Sequence, residues 1–154
     1  MTTPTFADVD EALAKRDYRA ALDMLESMEV VGEDACYRRD IQAAACADRL
    51  GLYPLCEEYA TRARAYGDDM ADPFALIARA QRRQGLVEEA GAVAMAGMRL
   101  HPQSHEIARE LTLCLVENYS VGGPQPAKVG KRTGTDSIRR EDKATDYFYR
   151  GVLA

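Results

Sequence analysis

The sequence contains no tryptophan, two histidines and four cysteines in 154 residues. No two cysteines form a CxxC pair, and His101 and His105 are separated by Pro102, which interrupts the helix that would bring them together. A phosphate-binding loop and the GxGxxG and GxSxG motifs are also absent, and no pair of acidic residues stands out. We therefore expect no metal site, no cofactor and no enzymatic activity.

Long hydrophobic runs and an excess of positive charge are missing as well. No window approaches the roughly 18 apolar residues of a membrane-spanning helix, and the amino end lacks the basic and apolar stretches of a secretory signal. The formal net charge is -5, which argues against nucleic acid as a general partner. These absences predict a mildly acidic cytoplasmic protein that has reduced thiols and does not insert into membranes.

Charge and composition divide the chain into two parts. Residues 121–154 carry seven basic and four acidic side chains, a net charge of +3, which leaves -8 for residues 1–120. The run Val-Gly-Gly-Pro-Gln-Pro at 121–126 stops helices and is typical of a linker. We predict a helical body over residues 1–120 and a basic tail over residues 121–154.

The body has the pattern of an all-α protein. Alanine, leucine, arginine, glutamate and methionine dominate it, and its prolines lie near expected helix ends. Residues 72–84 place Phe74 and Ile77 on one side and Arg82 and Arg83 on another, which is the spacing of an amphipathic helix. Alternation typical of strands is absent.

A period of 34 residues relates the helices to one another. Within residues 72–102, an aromatic residue, Phe74, lies in the first helix, Gly85 in the turn and Ala90 in the second helix. A shift of 34 residues aligns small residues with small residues: Gly51 with Gly85, Cys56 with Ala90 and Ala44 with Ala78. Small residues at these positions let two antiparallel helices cross closely.

The segment 72–102 resembles a tetratricopeptide repeat, and the weaker resemblance of its neighbours extends over about residues 4–118. This resemblance implies about seven helices in antiparallel pairs, stacked as a short solenoid and followed by an extended or partly helical tail. Two positions depart from the family pattern, since Arg16 replaces the turn glycine and Asp40 replaces the aromatic residue. The alternative is an unrelated helical bundle with a chance period.

The cysteines fit the repeat as small core residues. Three of them occupy positions where another repeat has alanine, which predicts buried side chains for Cys46, Cys56 and Cys114. Cys36 precedes the repeat pattern, and we expect it to be more exposed.

The resemblance also implies a concave groove, lined by the first helix of each pair, that holds a peptide or helix of a partner protein. Six arginines occupy matched positions: Arg38, Arg49, Arg79, Arg82, Arg83 and Arg109. The other matched positions hold Ile41, Ala45, Ala75 and Leu113. Guanidinium groups donate in a planar fork to carboxylates, so we predict an acidic or amphipathic partner segment. A solvated arginine-rich face is the alternative.

The family's chaperone-binding members hold a terminal carboxylate with lysine and asparagine. Here the matched positions hold arginine, alanine and isoleucine, and asparagine occurs only at Asn118. This departure argues against a heat-shock co-chaperone clamp.

The tail contains the densest aromatic cluster of the chain, Tyr147, Phe148 and Tyr149. Aromatic residues flanked by charge are typical anchors, so we predict that this cluster contacts a partner, a second copy or the chain's own groove.

Three classes of function follow from these observations. The first is a protein-interaction module, an adaptor or chaperone, and bacterial type III secretion chaperones are similar to it in size and repeat count. The second is a structural subunit of a larger assembly that is linked through the tail. The third is an enzyme or nucleic-acid accessory factor that uses the basic tail.

Overall fold

The computed structural model describes residues 3–120, which form helices joined by turns and short loops and contain no strand. The seven helices are α1 (Phe6–Ala14), α2 (Tyr18–Ser27), α3 (Glu33–Arg49), α4 (Tyr53–Arg64), α5 (Asp72–Arg83), α6 (Val87–Leu100) and α7 (His105–Ser120). The prediction of an all-α body with seven helices is confirmed.

The helices pack in consecutive pairs along the chain. Each helix contacts the next, and α5 additionally contacts α3 on one side and α7 on the other. Short turns at residues 50–52 and 84–86 reverse the chain after α3 and α5. The segments at residues 65–71 and 101–104 turn the chain back again, since α5 packs on α4 and α7 packs on α6. Helices α3, α5 and α7 therefore lie side by side and run in the same direction.

Side chains of the sequence cap the amino ends of the first two helices. Thr5 caps α1, because its hydroxyl accepts a hydrogen bond from the Asp8 backbone N–H at 3.4 Å while its own N–H donates to Asp8 Oδ2 at 2.9 Å. Asp17 caps α2 through the Ala20 N–H at 3.2 Å. Later in the chain, α4 and α5 begin with a proline in the first turn, where no backbone N–H is needed.

The turns inside the pairs require a left-handed backbone. The sequence predicts Gly85 in a turn, and the structure places it there. Gly51 has φ 77° and Gly85 has φ 88°, a conformation that glycine adopts without steric cost. Arg16 stands at the equivalent place in the first pair and adopts φ 59°. The first turn thus keeps the repeat geometry with a side chain that disfavours it.

Two buried clusters fill the body, one spanning α1 to α5 and the other joining α5, α6 and α7. Phe74 is fully buried in the second cluster, and Gly97 of α6 lies directly against it. Ala90 is also fully buried, as the repeat predicts. The position equivalent to Phe74 in the preceding pair is Asp40, which is buried as well.

The cysteine predictions are confirmed. The three cysteines at alanine positions, Cys46, Cys56 and Cys114, are buried, whereas Cys36 is partly exposed. Burial raises the pKa of Cys56 to about 12 and the pKa values of Cys46 and Cys114 to about 11. These thiols act as small apolar core groups.

Candidate partner-binding groove

A groove of about 740 Å³ runs along α3, α5 and α7. Gln42 and Tyr53 contribute to its lining. The four aliphatic residues of the lining, called the floor below, are Ile41 and Ala45 from α3 and Ala75 and Leu76 from α5. Three of these four are positions that the repeat resemblance selects, while Leu113, which it also selects, is not part of the lining.

Charged side chains flank this floor in equal numbers of each sign. The basic residues are Arg49, Arg79, Arg83 and Arg109, and the acidic residues are Asp48, Asp72, Glu106 and Glu110. The positions matched from the repeat include the arginines and none of these acidic residues. Acidic residues three or four positions from an arginine on the same helix, such as Glu106 before Arg109, are the sequence signal for these mixed charges.

Arg79 lies in the middle of the groove and bridges all three helices. Its Nε donates to Asp48 Oδ1 of α3 at 2.7 Å, and its Nη1 lies 3.7 Å from Glu110 Oε2 of α7. Arg109 also approaches Glu110, at 3.9 Å. The centre of the groove is therefore neutralised by ion pairs within the chain.

Arg82 does not line the groove. Its side chain is 7% exposed, and it donates to Glu110 Oε1 at 3.0 Å and to Glu117 Oε2 at 2.7 Å. Neighbouring helical residues point about 100° apart, so Arg82 turns toward α7 while Arg83 turns into the groove. Arg82 holds α5 against α7.

Arg38 also lies outside the groove lining. Its Nη2 donates to the Asp10 carboxylate at 3.2 Å, and its guanidinium carbon lies 4.2 Å from the centre of the Phe6 ring. These contacts connect α3 to α1. Of the six predicted arginines, four lie in the lining, and Arg38 and Arg82 pair elsewhere in the body.

The two arginines at the carboxyl ends of α3 and α5 stack on tyrosine rings. The Arg49 guanidinium carbon lies 5.6 Å from the centre of the Tyr18 ring, and that of Arg83 lies 5.0 Å from the Tyr53 ring. Cation–π contacts of this kind orient a guanidinium group while leaving its N–H edge accessible.

The predicted aromatic anchors, Tyr147, Phe148 and Tyr149, and the whole tail lie outside the described residues. Within residues 3–120, no three histidine, cysteine, aspartate or glutamate side chains come together as metal ligands would. In the same range, none of the helices has both the length and the apolar character needed to cross a bilayer. The prediction that the chain is not an enzyme stays a prediction.

No protein-family model matches the sequence, and no curated protein matches it. Among solved structures, the chain is similar to the Hsp90 co-chaperone Cns1 from Saccharomyces cerevisiae (delta69), with a TM-score of 0.72 and 18% sequence identity. The similarity covers 90% of this chain but 44% of the co-chaperone chain, so the chain corresponds to less than half of that structure. Together with the consecutive helix pairs, this similarity supports a tetratricopeptide-like helical fold.

Proposed function

We propose that the protein is an interaction module, an adaptor or chaperone, that holds a segment of a partner protein in the groove along α3, α5 and α7. The observation that carries the proposal is the groove itself, in which an apolar floor is flanked by charged side chains from three parallel helices. Such a surface buries apolar side chains of a ligand while its charged flanks fix the ligand's position.

The dimensions of the groove suit a short segment. Helix α5 has 12 residues and is therefore about 18 Å long, which an extended chain of five or six residues spans. An amphipathic segment fits this surface, since the floor accepts apolar groups and the flanks accept polar ones. The similarity to a co-chaperone is in keeping with this role.

In this role the protein acts in the cytoplasm, where its buried thiols stay reduced, and it catalyses no reaction. A role as a structural subunit linked through the tail, or as a chaperone of the type III secretion kind, remains a prediction from the sequence.

Site-specific photo-crosslinking in the native cells tests the groove. A photoreactive amino acid is placed at Ala45, which is exposed on the groove floor, and in a matched variant at Ala92, which is exposed on α6 outside the groove. We expect a defined protein partner to crosslink from position 45 and not from position 92. The same products from both positions, or none from position 45, would contradict the proposal.

A further inference from the structure

The charges of the groove that lack an ion pair are sorted by sign along its length. Asp72 is the first residue of α5 and Glu106 the second residue of α7, whereas Arg49 and Arg83 are the last residues of α3 and α5. Because the three helices run in the same direction, the two carboxylates lie at one end of the groove and the two guanidinium groups at the other.

The charged side chains at the two ends of the groove are not held in ion pairs. Among the described residues, the ion pairs of the groove involve Arg79, Arg109 and their acidic partners, and the carboxylates of Asp72 and Glu106 have no hydrogen bond or ion pair. Asp72 contributes to the raised pKa of Tyr37 through its negative charge, after the larger effect of burial. In the same range, no carboxylate lies within 4.0 Å of Arg49 or Arg83. The middle of the groove differs, since Arg79 is bound on both sides by acidic residues of the chain. Among the described residues of the groove, the charged side chains without an ion pair therefore lie at its two ends, while Arg109, one turn after Glu106, has a 3.9 Å contact with Glu110.

We propose that the groove selects a partner segment that is itself dipolar, with a carboxylate seated on Arg49 and Arg83 and a basic group seated between Asp72 and Glu106. The proposal rests on the proposed function and specifies its ligand. Asp72 and Arg83 are separated by about 16 Å along α5, so an extended ligand carries its two charges about five residues apart.

Each half of the match has a chemical basis. Two guanidinium groups held over tyrosine rings present N–H edges that a carboxylate accepts in bidentate fashion. At the other end, two carboxylates provide acceptors for a lysine or arginine side chain. A uniformly acidic segment would bring like charges together at Asp72 and Glu106, which costs affinity.

Charges at helix ends also stabilise the helix dipole, and this role needs a matched control. Helix α6 carries Glu88 in its first turn and Arg99 in its last turn, both exposed and both outside the groove lining. The E88K/R99E variant therefore reverses the same kind of helix-end charge without changing the groove.

A peptide library displayed on phage tests the proposal. Random octapeptides are selected on the wild-type protein, on R49E/R83E, on D72K/E106K and on E88K/R99E, with helix content checked by circular dichroism. We expect wild type and E88K/R99E to enrich peptides with an acidic and a basic residue about five positions apart. R49E/R83E should enrich peptides that are basic at both ends, and D72K/E106K peptides that are acidic at both ends.

Fluorescence anisotropy measures the affinity of each variant for one peptide that the wild type selected. R49E/R83E and D72K/E106K should each bind it about tenfold more weakly, because each loses two partly exposed charge contacts. The proposal is overturned if no peptide is enriched, if the enriched peptides lack the paired charges, or if the reversed variants select the wild-type sequences. If the peptide selection fails in one of these ways but a partner still crosslinks from position 45 of the wild-type groove, the groove binds a partner with another charge pattern.

Discussion

Two glycines of α6 differ sharply in what a methyl group would meet. A Cβ built on Gly97 would lie 2.8 Å from Phe74 Cβ and 3.0 Å from Ile107 Cδ1, both in the core. A Cβ on Gly91 would have Cys114 Cβ as its nearest neighbour, at an ordinary 3.9 Å. One glycine is thus required by close helix packing, and the other is not.

We therefore predict opposite effects of the same substitution in one helix. Gly97→Ala should lower the free energy of unfolding by about 1 to 3 kcal/mol, since the core must shift to admit the methyl group. Gly91→Ala should raise it by up to about 1 kcal/mol through better helix propensity. Urea unfolding of both variants measures the difference, and equal effects would show that α6 does not approach Phe74 this closely.

Arg16 is a non-glycine residue with a left-handed backbone, at φ 59°, and this conformation strains the chain. Arg16→Gly should raise the free energy of unfolding by about 0.5 to 1 kcal/mol, since the strain it relieves exceeds the added entropy of the unfolded chain. Lys15→Gly is the control, because Lys15 has φ -87° and glycine has no conformational advantage there. Thermal unfolding of both variants compares them, and a loss of stability in Arg16→Gly would refute the argument.

At the scale of helices, buried and partly buried ion pairs join α5 to α7. Arg82 and Glu110 are both almost fully buried, and their side chains are joined at 3.0 Å. Removing one member of such a pair leaves the other charge buried, which is costly, although a buried pair as a whole contributes little.

We predict that Arg82→Met lowers the free energy of unfolding by about 2 to 4 kcal/mol, because Glu110 then loses its nearest cation. Arg83→Met is the neighbouring control, and its exposed side chain should make the effect less than about 0.5 kcal/mol. Adding Glu110→Gln to Arg82→Met should recover part of the loss. Denaturant unfolding of the three variants measures these changes in the free energy of unfolding. Equal losses for the two methionine variants would contradict the buried pairing of Arg82 with Glu110.

At the scale of the whole molecule, both described hydrophobic clusters are built from residues of the body. We therefore predict that deleting residues 121–154 leaves a folded helical body, with helix content that accounts for the seven helices. The deletion should also remove an interaction or lower the oligomeric state, as expected if Tyr147, Phe148 and Tyr149 are anchors. Circular dichroism and light scattering test the two parts, and an unfolded truncation would refute the first.

The sequence by itself determined the elements and their order. Helical spacing and the 34-residue period, together with the resemblance to a tetratricopeptide repeat, predicted the consecutive helix pairs, the small residues that let them cross, and the turn at Gly85. These features depend on residues close together in the chain, where propensity and helical spacing act directly. For the same reason, alanine-equivalent positions predicted the burial of Cys46, Cys56 and Cys114.

Only the tertiary structure decided which charges the groove presents. The sequence placed Arg79, Arg82 and Arg83 on one face, but in the fold Arg82 is buried against α7, Arg79 is shared between two helices and Arg83 is exposed in the groove lining. Their acidic partners Asp48 and Glu110 lie about 30 residues away in the chain. Periodicity fixes a side chain's direction only relative to its own helix, whereas ion pairing depends on how neighbouring helices are rotated and spaced when their apolar faces pack.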